Sequence, residues 1–369
     1  MSQPHLSTLA LSQFRSHARA RLVFDGRPVS VWGPNGSGKT NLLEAVSFLS
    51  PGRGLRRAAA EEVGRRAEGV GWKVAATFAF PNLAREAETG ALPGEARTVR
   101  IDGKAASQLD LARLLPILWL VPSMDRLWTE GAEGRRRFLD RAALSLFPDH
   151  GEASLAYEKA MRERNRLLKD GSRDARWYAA LEGQMAEAGT RIARNRAATV
   201  ERLLGEQARA ETAFPAAALS ITYPEDPLPE GGEALASALE KGRWRDMAAG
   251  RSLLGPHRAD LEAVWAAKNV PARDCSTGEQ KALLVSLILA NARAIEAEGT
   301  APLLLLDEVA AHLDPARRAA LYEEIVALGL QAFMTGTEPS LFAELGQRAQ
   351  CWEAAEEGGA STLIERSLP

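Results

Sequence analysis

The sequence is poor in the residues and segments that mark several large classes of protein. Among 369 residues there are only two cysteines, Cys275 and Cys351, with no spacing suited to a disulfide framework or a cysteine metal site. No apolar run reaches about 18 residues, so no membrane-spanning helix is expected. The first 15 residues lack a basic start followed by a sustained apolar core, so no secretory leader is expected. We therefore expect a cytoplasmic protein with reduced thiols and no membrane partner.

An excess of charge of either sign is also lacking. Lysine and arginine number 46 against 48 acidic residues, giving a net charge of −2. Global charge therefore does not indicate a nucleic-acid partner, and any surface for one must be a local basic patch. With 46% hydrophobic and 25% charged residues, the chain is long enough for a large core in one large or two modest domains.

The first third of the sequence has the pattern of a β-rich region. Short β-type runs lie between residues 9 and 32, ending in RPVSVW before a glycine-rich turn. WKVAATFAF, from Trp72, and TVRIDGK, from Thr98, predict antiparallel strands. The pair Asp102-Gly103 favours a tight hairpin in the second of these runs.

The rest of the chain alternates between helical and strand-like segments. From about Arg135 to Gly205 it is rich in Ala, Arg, Glu and Leu with almost no proline, which predicts helices. Several prolines and glycines between Phe214 and Gly232 predict a connecting region. The apolar runs 303–309 and 331–337 are typical of neighbouring buried parallel strands.

GPNGSGKTN fits the P-loop pattern G-x-x-x-x-G-K-[ST], and it follows a predicted strand and precedes the helix-like NLLEAVSFL. In such a loop, backbone N–H groups surround the β-phosphate and the helix dipole adds favourable charge. Lys39 would reach the β and γ oxygens as a catalytic residue, and the Thr40 hydroxyl would bind Mg²⁺. The predicted nucleotide-binding residues are Gly33, Pro34, Asn35, Gly36, Ser37, Gly38, Lys39, Thr40 and Asn41.

Two carboxylates, Asp307 and Glu308, follow the apolar run at the carboxyl end of a predicted buried strand. This is the edge at which α/β sheets place their ligands. Beside a P-loop, Asp307 would hold Mg²⁺ through water, and Glu308 would position or deprotonate the water that attacks the γ-phosphate. A solvated turn or helix cap is the alternative interpretation of the acidic pair.

The cluster CSTGEQ precedes a long apolar stretch. Ser276 and Glu279 form the pattern of a capping box, which satisfies backbone N–H groups at the start of a helix. A rival hypothesis makes Cys275 or Ser276 a nucleophile with His257 as its base, although no nucleophile-elbow glycine pattern accompanies them. For His257, packing within the core is the commoner role.

The P-loop, STGEQ and LLLLDEVAAHLD occur in the order found in an ABC-type ATPase head, which the chain resembles, with STGEQ in the place of the signature motif. It resembles more closely the RecF family of bacterial DNA-repair ATPases. The similarity covers nearly the whole chain, and its most specific blocks are RRRFLD, which begins at Arg135, and GPHR, which begins at Gly255.

The resemblance implies an α/β, ABC-type P-loop ATPase head with a β-rich lobe and an inserted helical arm domain. The head would comprise residues 1–125 and 246–369, and the arm with its connection residues 126–245. RecF-like proteins bind ATP with Mg²⁺, dimerise on ATP, hydrolyse it slowly and bind DNA in an ATP-dependent way. They act in recombinational repair at single-strand gaps or junctions in duplex DNA, with RecR and RecO, and help to load RecA.

In an ABC head, each ATP is held between the P-loop of one subunit and the signature of another. The resemblance therefore implies that Ser276, Gly278 and Glu279 contact nucleotide across a homodimer interface. Asp314, in HLDP, matches the D-loop aspartate that crosses the same interface.

Arginines supply the candidate contacts to DNA, through its backbone rather than its base edges. For each of them a solvated helix face is the alternative or, for Arg136 and Arg137, an internal salt bridge. The principal candidates are Arg53, Arg56, Arg57, Arg135, Arg162, Arg166 and Arg194. Further candidates are Arg136, Arg137, Arg164, Arg191 and Arg196.

Two other functions fit part of the pattern. An ABC transporter ATPase subunit would carry a Q-loop glutamine and a switch histidine. No glutamine lies near Val121 to Asp125, and Gly336 and Thr337 stand where the histidine would be. A non-catalytic SMC-like structural module would bind nucleotide without turnover.

Overall fold

The computed structural model describes residues 3–65, 69–224 and 227–367. The chain forms two compact units. The first comprises Met1–Asp125, Ala210–Pro215 and Ser276–Pro369, and the second Arg126–Arg209 and Ala216–Cys275. Residues 246–275, which the sequence-based division counts with the head, belong to the second unit. The functional division into head and arm stays a prediction.

A mixed six-stranded sheet in the first unit carries the predicted nucleotide motifs. Its strand order is β15-β14-β3-β13-β12-β8, and all neighbours are parallel except the edge pair of β14 and β15. The two apolar runs form the adjacent parallel strands β12 and β13, as predicted. The strands are β3 (Val29–Trp32), β8 (Ile117–Leu120), β12 (Leu303–Leu306), β13 (Ala332–Gly336), β14 (Gln350–Glu357) and β15 (Ala360–Arg366).

The second sheet of this unit is antiparallel throughout, with the order β2-β1-β4-β5-β6-β7. The predicted hairpin is confirmed: Asp102 and Gly103 join β6 to β7 with φ of 49° and 74°. Such positive φ angles match the twist of a tight hairpin. The strands are β1 (His5–Phe14), β2 (His17–Val23), β4 (Trp72–Phe80), β5 (Leu83–Ala91), β6 (Thr98–Ile101) and β7 (Lys104–Ala106).

Buried side chains from both sheets form one continuous apolar core in the first unit, with α1 (Lys39–Ser47) packed into it. The long helix α7 (Thr277–Glu296) is buried on nearly every side from Gln280 to Ile295, which explains why its sequence is apolar all round. The other helices of this unit are α2 (Ala60–Val63) and α8 (Pro315–Ala327).

The second unit is mainly helical, as the composition from Arg135 to Gly205 predicted. Its own core lies between α4, α5 and α6. The helices are α3 (Ala132–Leu146), α4 (Asp149–Lys169), α5 (Ala175–Arg209) and α6 (Gly232–Ala249). None of the helices in the described ranges is long and apolar enough to cross a membrane.

One prediction for this unit is wrong. Residues 217–222 lie inside the segment interpreted as a connection, yet they form a strand, β9 (Ala217–Thr222). It pairs with β10 (Asp260–Trp265), which also pairs with β11 (Val270–Pro271). The prolines and glycines that suggested a loop flank this strand, and its alanines carry little β-propensity of their own.

Candidate functional site

The glycine-rich loop joins β3 to α1, as a P-loop must. Its first residue, Gly33, donates its N–H to the Gly336 carbonyl of β13 at 3.3 Å. Gly38 precedes α1 with φ 94°, and a Cβ there would lie 2.2 Å from the Ser361 hydroxyl, so this position requires glycine. Pro34, Asn35 and Gly36 are exposed, so the tip of the loop is open to a ligand. The buried Ser37 hydroxyl has no partner among the described residues.

Lys39 lies across the inside of this loop. Its Nζ donates to the carbonyls of Gly33 at 2.7 Å and Pro34 at 2.9 Å. Burial lowers the pKa of the Lys39 ammonium, and the nearby carboxylates of Glu308 and Asp307 oppose that shift. The ammonium group therefore lies inside the loop, within the electrostatic influence of both carboxylates.

Asp307 and Glu308 follow β12 at its carboxyl end, next to the start of α1. The Thr40 hydroxyl lies 2.9 Å and 3.1 Å from the two Asp307 carboxylate oxygens. Thr335, on β13, donates its hydroxyl to Asp307 Oδ1 at 2.8 Å and accepts the Glu308 N–H at 2.9 Å. The structure thus brings Lys39, Thr40, Asp307 and Glu308 together, as predicted, and adds Thr335, which belongs to none of the predicted motifs.

Asn41, the last residue of the predicted loop, points toward the antiparallel sheet. Its side-chain amide donates to the Ser16 hydroxyl at 2.7 Å, and its carbonyl oxygen accepts from Arg56 at 2.7 Å. Arg56 also pairs with the buried carboxylate of Glu44 at 3.3 Å. Arg56 therefore lies beside α1 and the P-loop.

The predicted capping box at the start of α7 is confirmed. Ser276 is the N-cap residue: its hydroxyl accepts the Glu279 N–H at 3.4 Å, and the Glu279 carboxylate accepts the Ser276 N–H at 2.8 Å. Ser276 and Gly278 are exposed, so the start of the helix is open to solvent. Asp314 caps α8 in the same way, accepting the Arg317 N–H at 2.9 Å from an exposed position.

The nucleophile hypothesis finds no support in this geometry. Both ring nitrogens of His257 are engaged, one with the Tyr157 hydroxyl at 2.7 Å and the other with the Ser252 carbonyl at 3.0 Å. Desolvation lowers the pKa of His257 to about 4, and neighbouring arginines add to the shift. With both ring nitrogens engaged, His257 has none left to act as a base for Ser276 or Cys275. The Ser276 hydroxyl itself lies 2.9 Å from the Glu279 carboxylate.

Comparison with known proteins identifies the family. The model of the RecF/RecN/SMC N terminal domain matches residues 5–355. The DNA replication and repair protein RecF of Rhizobium rhizogenes is 48% identical over 371 residues, which cover 96% of this chain and 99% of that protein. The RecF of Brucella suis is 51% identical over 355 residues, covering 93% and 92%. This chain belongs to the RecF family.

Solved structures confirm the predicted ABC-type head fold for this RecF-family chain. A structure of the recombination mediator protein RecF with ATP has a TM-score of 0.83 at 23% identity, covering 99% of this chain and 100% of that one. An Smc head domain from Pyrococcus furiosus, bound to the C-terminal domain of ScpA, has a TM-score of 0.57 at 17% identity, covering 99% and 97%. At these identities the likeness concerns the fold.

The arginines predicted to bind DNA have different surroundings in this RecF-family chain. Arg53, Arg57 and Arg194 are exposed and have no ion pair among the described residues. Arg162 and Arg166 are exposed on α4, paired along the helix with Glu158 at 4.0 Å and Glu163 at 3.5 Å.

Three arginines of the second unit make internal contacts instead. Arg135 forms a two-pronged pair with Asp260, with N–O distances of 2.7 and 2.8 Å, and also donates to backbone carbonyls. Arg196 is buried and bound to Asp140 and the Pro256 carbonyl.

Arg164 is completely buried between Glu182 and Asp246. The interpretation of Arg164 and Arg196 as DNA contacts is therefore wrong, because neither guanidinium reaches the surface. The alternative of a solvated helix face is also wrong for both, because each makes buried internal ion pairs.

The blocks that carry the family resemblance meet within the second unit. Asp140 of RRRFLD accepts hydrogen bonds from Arg196 and from His150, and Arg136 donates to the Ala259 carbonyl at 2.8 Å. Burial opposes ionisation of Asp140, but these hydrogen bonds outweigh it and lower its pKa to about 2. RRRFLD and GPHR thus contribute to a polar core of the second unit.

Proposed function

We propose that this chain is an ATP-dependent DNA-binding ATPase of recombinational DNA repair, whose ATP-bound homodimer holds DNA and whose slow hydrolysis of ATP resets it. The observation that carries the proposal is the convergence of Lys39, Thr40, Asp307 and Glu308 at one edge of the mixed sheet. The likeness to a RecF solved with ATP supports the same conclusion. A nucleotide that bound monomer and dimer equally would not shift the equilibrium between them. ATP must therefore bind the dimer more tightly than the monomer.

The P-loop accounts for ATP binding in this proposal. The backbone N–H groups of residues 35–40 would surround the β-phosphate, since the tip of the loop at Pro34, Asn35 and Gly36 is open. Lys39 would exchange its two carbonyl partners for phosphate oxygens. The unpartnered Ser37 hydroxyl inside the loop is a further donor that an anionic ligand would satisfy.

Mg²⁺ fits the oxygen donors next to the loop. The Thr40 hydroxyl and the Asp307 carboxylate lie within hydrogen-bonding distance of each other, and Mg²⁺ commonly takes one or two protein oxygens with water and phosphate completing its shell. In the described ranges no group of three or more His, Cys, Asp or Glu offers an alternative metal site. When bound, Mg²⁺ would neutralise charge on the β and γ oxygens. Glu308, half-buried beside it, would accept the proton of the attacking water.

The exposed start of α7 would complete the site of a second copy. Ser276, Gly278 and Glu279 surround amides that carry the positive end of the helix dipole, which suits a γ-phosphate supplied across the interface. Asp314, exposed at the start of α8, would cross the same interface. The D-loop and signature assignments rest on the family resemblance.

DNA contacts would come from the exposed arginines. Arg53 and Arg57 lie in the segment that follows α1, and Arg194 lies on α5. Arg162 and Arg166 remain candidates because their ion pairs are solvent-exposed and worth little. Arg56 remains a candidate because its own side chain is 44% exposed, although its partner Glu44 is buried. Arg135 fits an internal role better, since its guanidinium already has carboxylate and carbonyl partners.

The cellular setting follows from family membership. We propose that the chain acts in the cytoplasm at single-strand gaps or at junctions of single- and double-stranded DNA. There it would work with RecR and RecO and, through them, help to load RecA.

A phosphate-release assay with and without gapped DNA tests the proposal. We expect slow, DNA-stimulated release by the wild type. Lys39→Ala should lose ATP binding, and Glu308→Gln should bind ATP, accumulate the dimer and release no phosphate. ATP binding without turnover by the wild type would favour the SMC-like structural module. Turnover that DNA leaves unchanged would favour a transporter-type ATPase subunit.

A further inference from the structure

Thr335 occupies the centre of the mixed sheet, on the strand between the P-loop strand and the strand that precedes Asp307. It is completely buried, and its hydroxyl makes two short hydrogen bonds. It donates to Asp307 Oδ1 at 2.8 Å and accepts the Glu308 N–H at 2.9 Å. One side chain thus contacts both carboxylate residues of the candidate site.

The hydrogen bond between the Glu308 N–H and the Thr335 hydroxyl stabilises an unusual backbone conformation at Glu308. Glu308 has φ 55°, a left-handed conformation that a residue with a side chain adopts only when its surroundings impose it. The Thr335 oxygen fixes the peptide group that joins Asp307 to Glu308, because it accepts the hydrogen of that peptide. The direction in which the Glu308 side chain leaves the strand therefore depends on this bond.

The contact with Asp307 sets the rotation of its carboxylate. A hydroxyl has a single proton, and because its oxygen already accepts the Glu308 N–H, that proton points to Asp307 Oδ1. Thr40 contacts the same carboxylate at both oxygens. The carboxylate is therefore held by two threonine hydroxyls, one from the P-loop and one from β13, as partners of a metal ligand commonly are.

We propose that Thr335 is a positioning residue that orients Asp307 toward the metal and Glu308 toward the attacking water. This inference rests on the proposed ATPase function. Thr335 does not contact the reacting atoms; it acts through the two carboxylates. Any loss on removing its hydroxyl should therefore appear in metal-dependent nucleotide binding and in the hydrolysis step together.

Three variants test the inference. Thr335→Val keeps the shape and removes the hydroxyl, and Thr335→Ser restores it. Thr199→Val makes the same change at another completely buried threonine, on α5, whose hydroxyl donates to the Asn195 carbonyl at 2.7 Å. If Thr335→Val does not fold, Thr335→Ala replaces it as the variant without the hydroxyl and is compared with Thr335→Ser. Thermal unfolding without nucleotide identifies the folded variants.

Two readouts are measured. In single-turnover hydrolysis we expect Thr335→Val to be about 10- to 100-fold slower than wild type, the usual cost of losing a partner of a metal ligand. In equilibrium binding of a fluorescent, non-hydrolysable ATP analogue, we expect it to need several times more Mg²⁺ for half-saturation. Thr335→Ser and Thr199→Val should stay close to the wild type in both.

The outcomes separate this inference from the proposed function. A wild type that binds no ATP or never releases phosphate overturns the proposed function. A wild type that hydrolyses ATP, together with a Thr335→Val variant of unchanged rate and unchanged Mg²⁺ requirement, overturns the role of Thr335 alone. Slower hydrolysis that Thr335→Ser fails to restore also overturns it, because the hydroxyl would then not be the group that matters.

Discussion

Arg162 and Arg164 show how strongly the structural role of an arginine depends on where its side chain lies. They lie two positions apart on α4 and therefore point to opposite sides of the helix. The Arg162 side chain is 72% exposed, whereas that of Arg164 is completely buried between two carboxylates that are themselves buried. A buried charge without its partner is strongly destabilising, whereas an exposed pair contributes little.

We predict that Arg164→Met lowers the free energy of unfolding by about 3 kcal/mol, because Asp246 would keep a buried charge without an ion-pair partner. Glu182 would keep only its pair with Arg243. The matched change Arg162→Met should cost less than about 0.5 kcal/mol. Equilibrium denaturation by urea, followed by circular dichroism, measures both. Equal effects of the two substitutions would contradict the assigned burial of Arg164.

His257 gives the second unit a dependence on pH. Its pKa is lowered by desolvation from 6.5 to about 4, so the unfolded chain binds a proton in a range where the folded protein does not. The contribution of neutral His257 to the free energy of unfolding is therefore fully present above pH 6.5 and is lost as the pH falls toward 4. Allowing for the partial exposure of the ring, the loss is about 2 kcal/mol.

We predict that His257→Gln flattens this part of the stability profile, because glutamine does not titrate. Urea denaturation at several pH values between 7 and about 4.5 measures it. Arg162→Met serves as the control and should keep the profile of the wild type. A variant whose stability still falls as steeply as the wild type's would show that another group titrates.

At the scale of the element, the start of α7 combines a structural and a proposed functional role in one residue. The Ser276 hydroxyl caps the helix, and the same exposed end is proposed to meet a γ-phosphate of a second copy. Aspartate is as good a cap as serine but carries a negative charge. Alanine removes the cap without adding charge.

Two substitutions of Ser276 separate these roles. Ser276→Ala should lose about 1 kcal/mol of stability and keep most of the ATP-dependent dimer. Ser276→Asp keeps a capping oxygen but lies beside the Glu279 carboxylate, so it should lose no more stability than Ser276→Ala. It should weaken the dimer more than about tenfold, because a charge opposite the γ-phosphate costs several kcal/mol. Light scattering with ATP, in a Glu308→Gln background, measures the dimer. Parallel losses of stability and of dimer in both variants would refute a contact across the interface.

Short-range patterns allowed several elements to be predicted. The P-loop, the strand before Asp307 and the capping box of Ser276 each depend on neighbours within a few residues, and all three form as expected. The strand β9 was not predicted, because its alanines have little preference of their own and the strand depends on pairing with β10. The contacts of Thr335 with Asp307 and Glu308 could not be foreseen, since these partners lie 28 and 27 residues away along the chain.

At the scale of the whole molecule, the near balance of 46 basic and 48 acidic residues limits how DNA can be bound. A protein without net positive charge gains little from long-range attraction, so its affinity must come from local contacts with phosphates. Each such contact displaces counterions and adds about −0.9 to the slope of log affinity against log salt. The slope therefore reports the number of phosphates that the protein neutralises, and variants can show which arginines are responsible.

We predict that the double variant Arg53→Gln and Arg57→Gln weakens ATP-dependent DNA binding and makes the salt slope shallower by about 0.9 for each phosphate that is no longer neutralised. Both side chains are exposed, and glutamine removes the charge with little change in length. Fluorescence anisotropy of labelled gapped DNA, from low to moderate salt with ATP present, measures the slopes. Because the DNA backbone carries no base information, affinity should fall equally for DNA of different sequence.

The matched control is Arg19→Gln with Arg21→Gln, which removes the same charge from two exposed positions on β2. Its salt slope should stay close to that of the wild type, since the proposed DNA surface does not include this strand. An equal change of slope in the control would mean that total charge decides binding. An unchanged slope in the variant of Arg53 and Arg57 would remove that segment from the DNA surface and leave the arginines of α4 and α5 as the candidates.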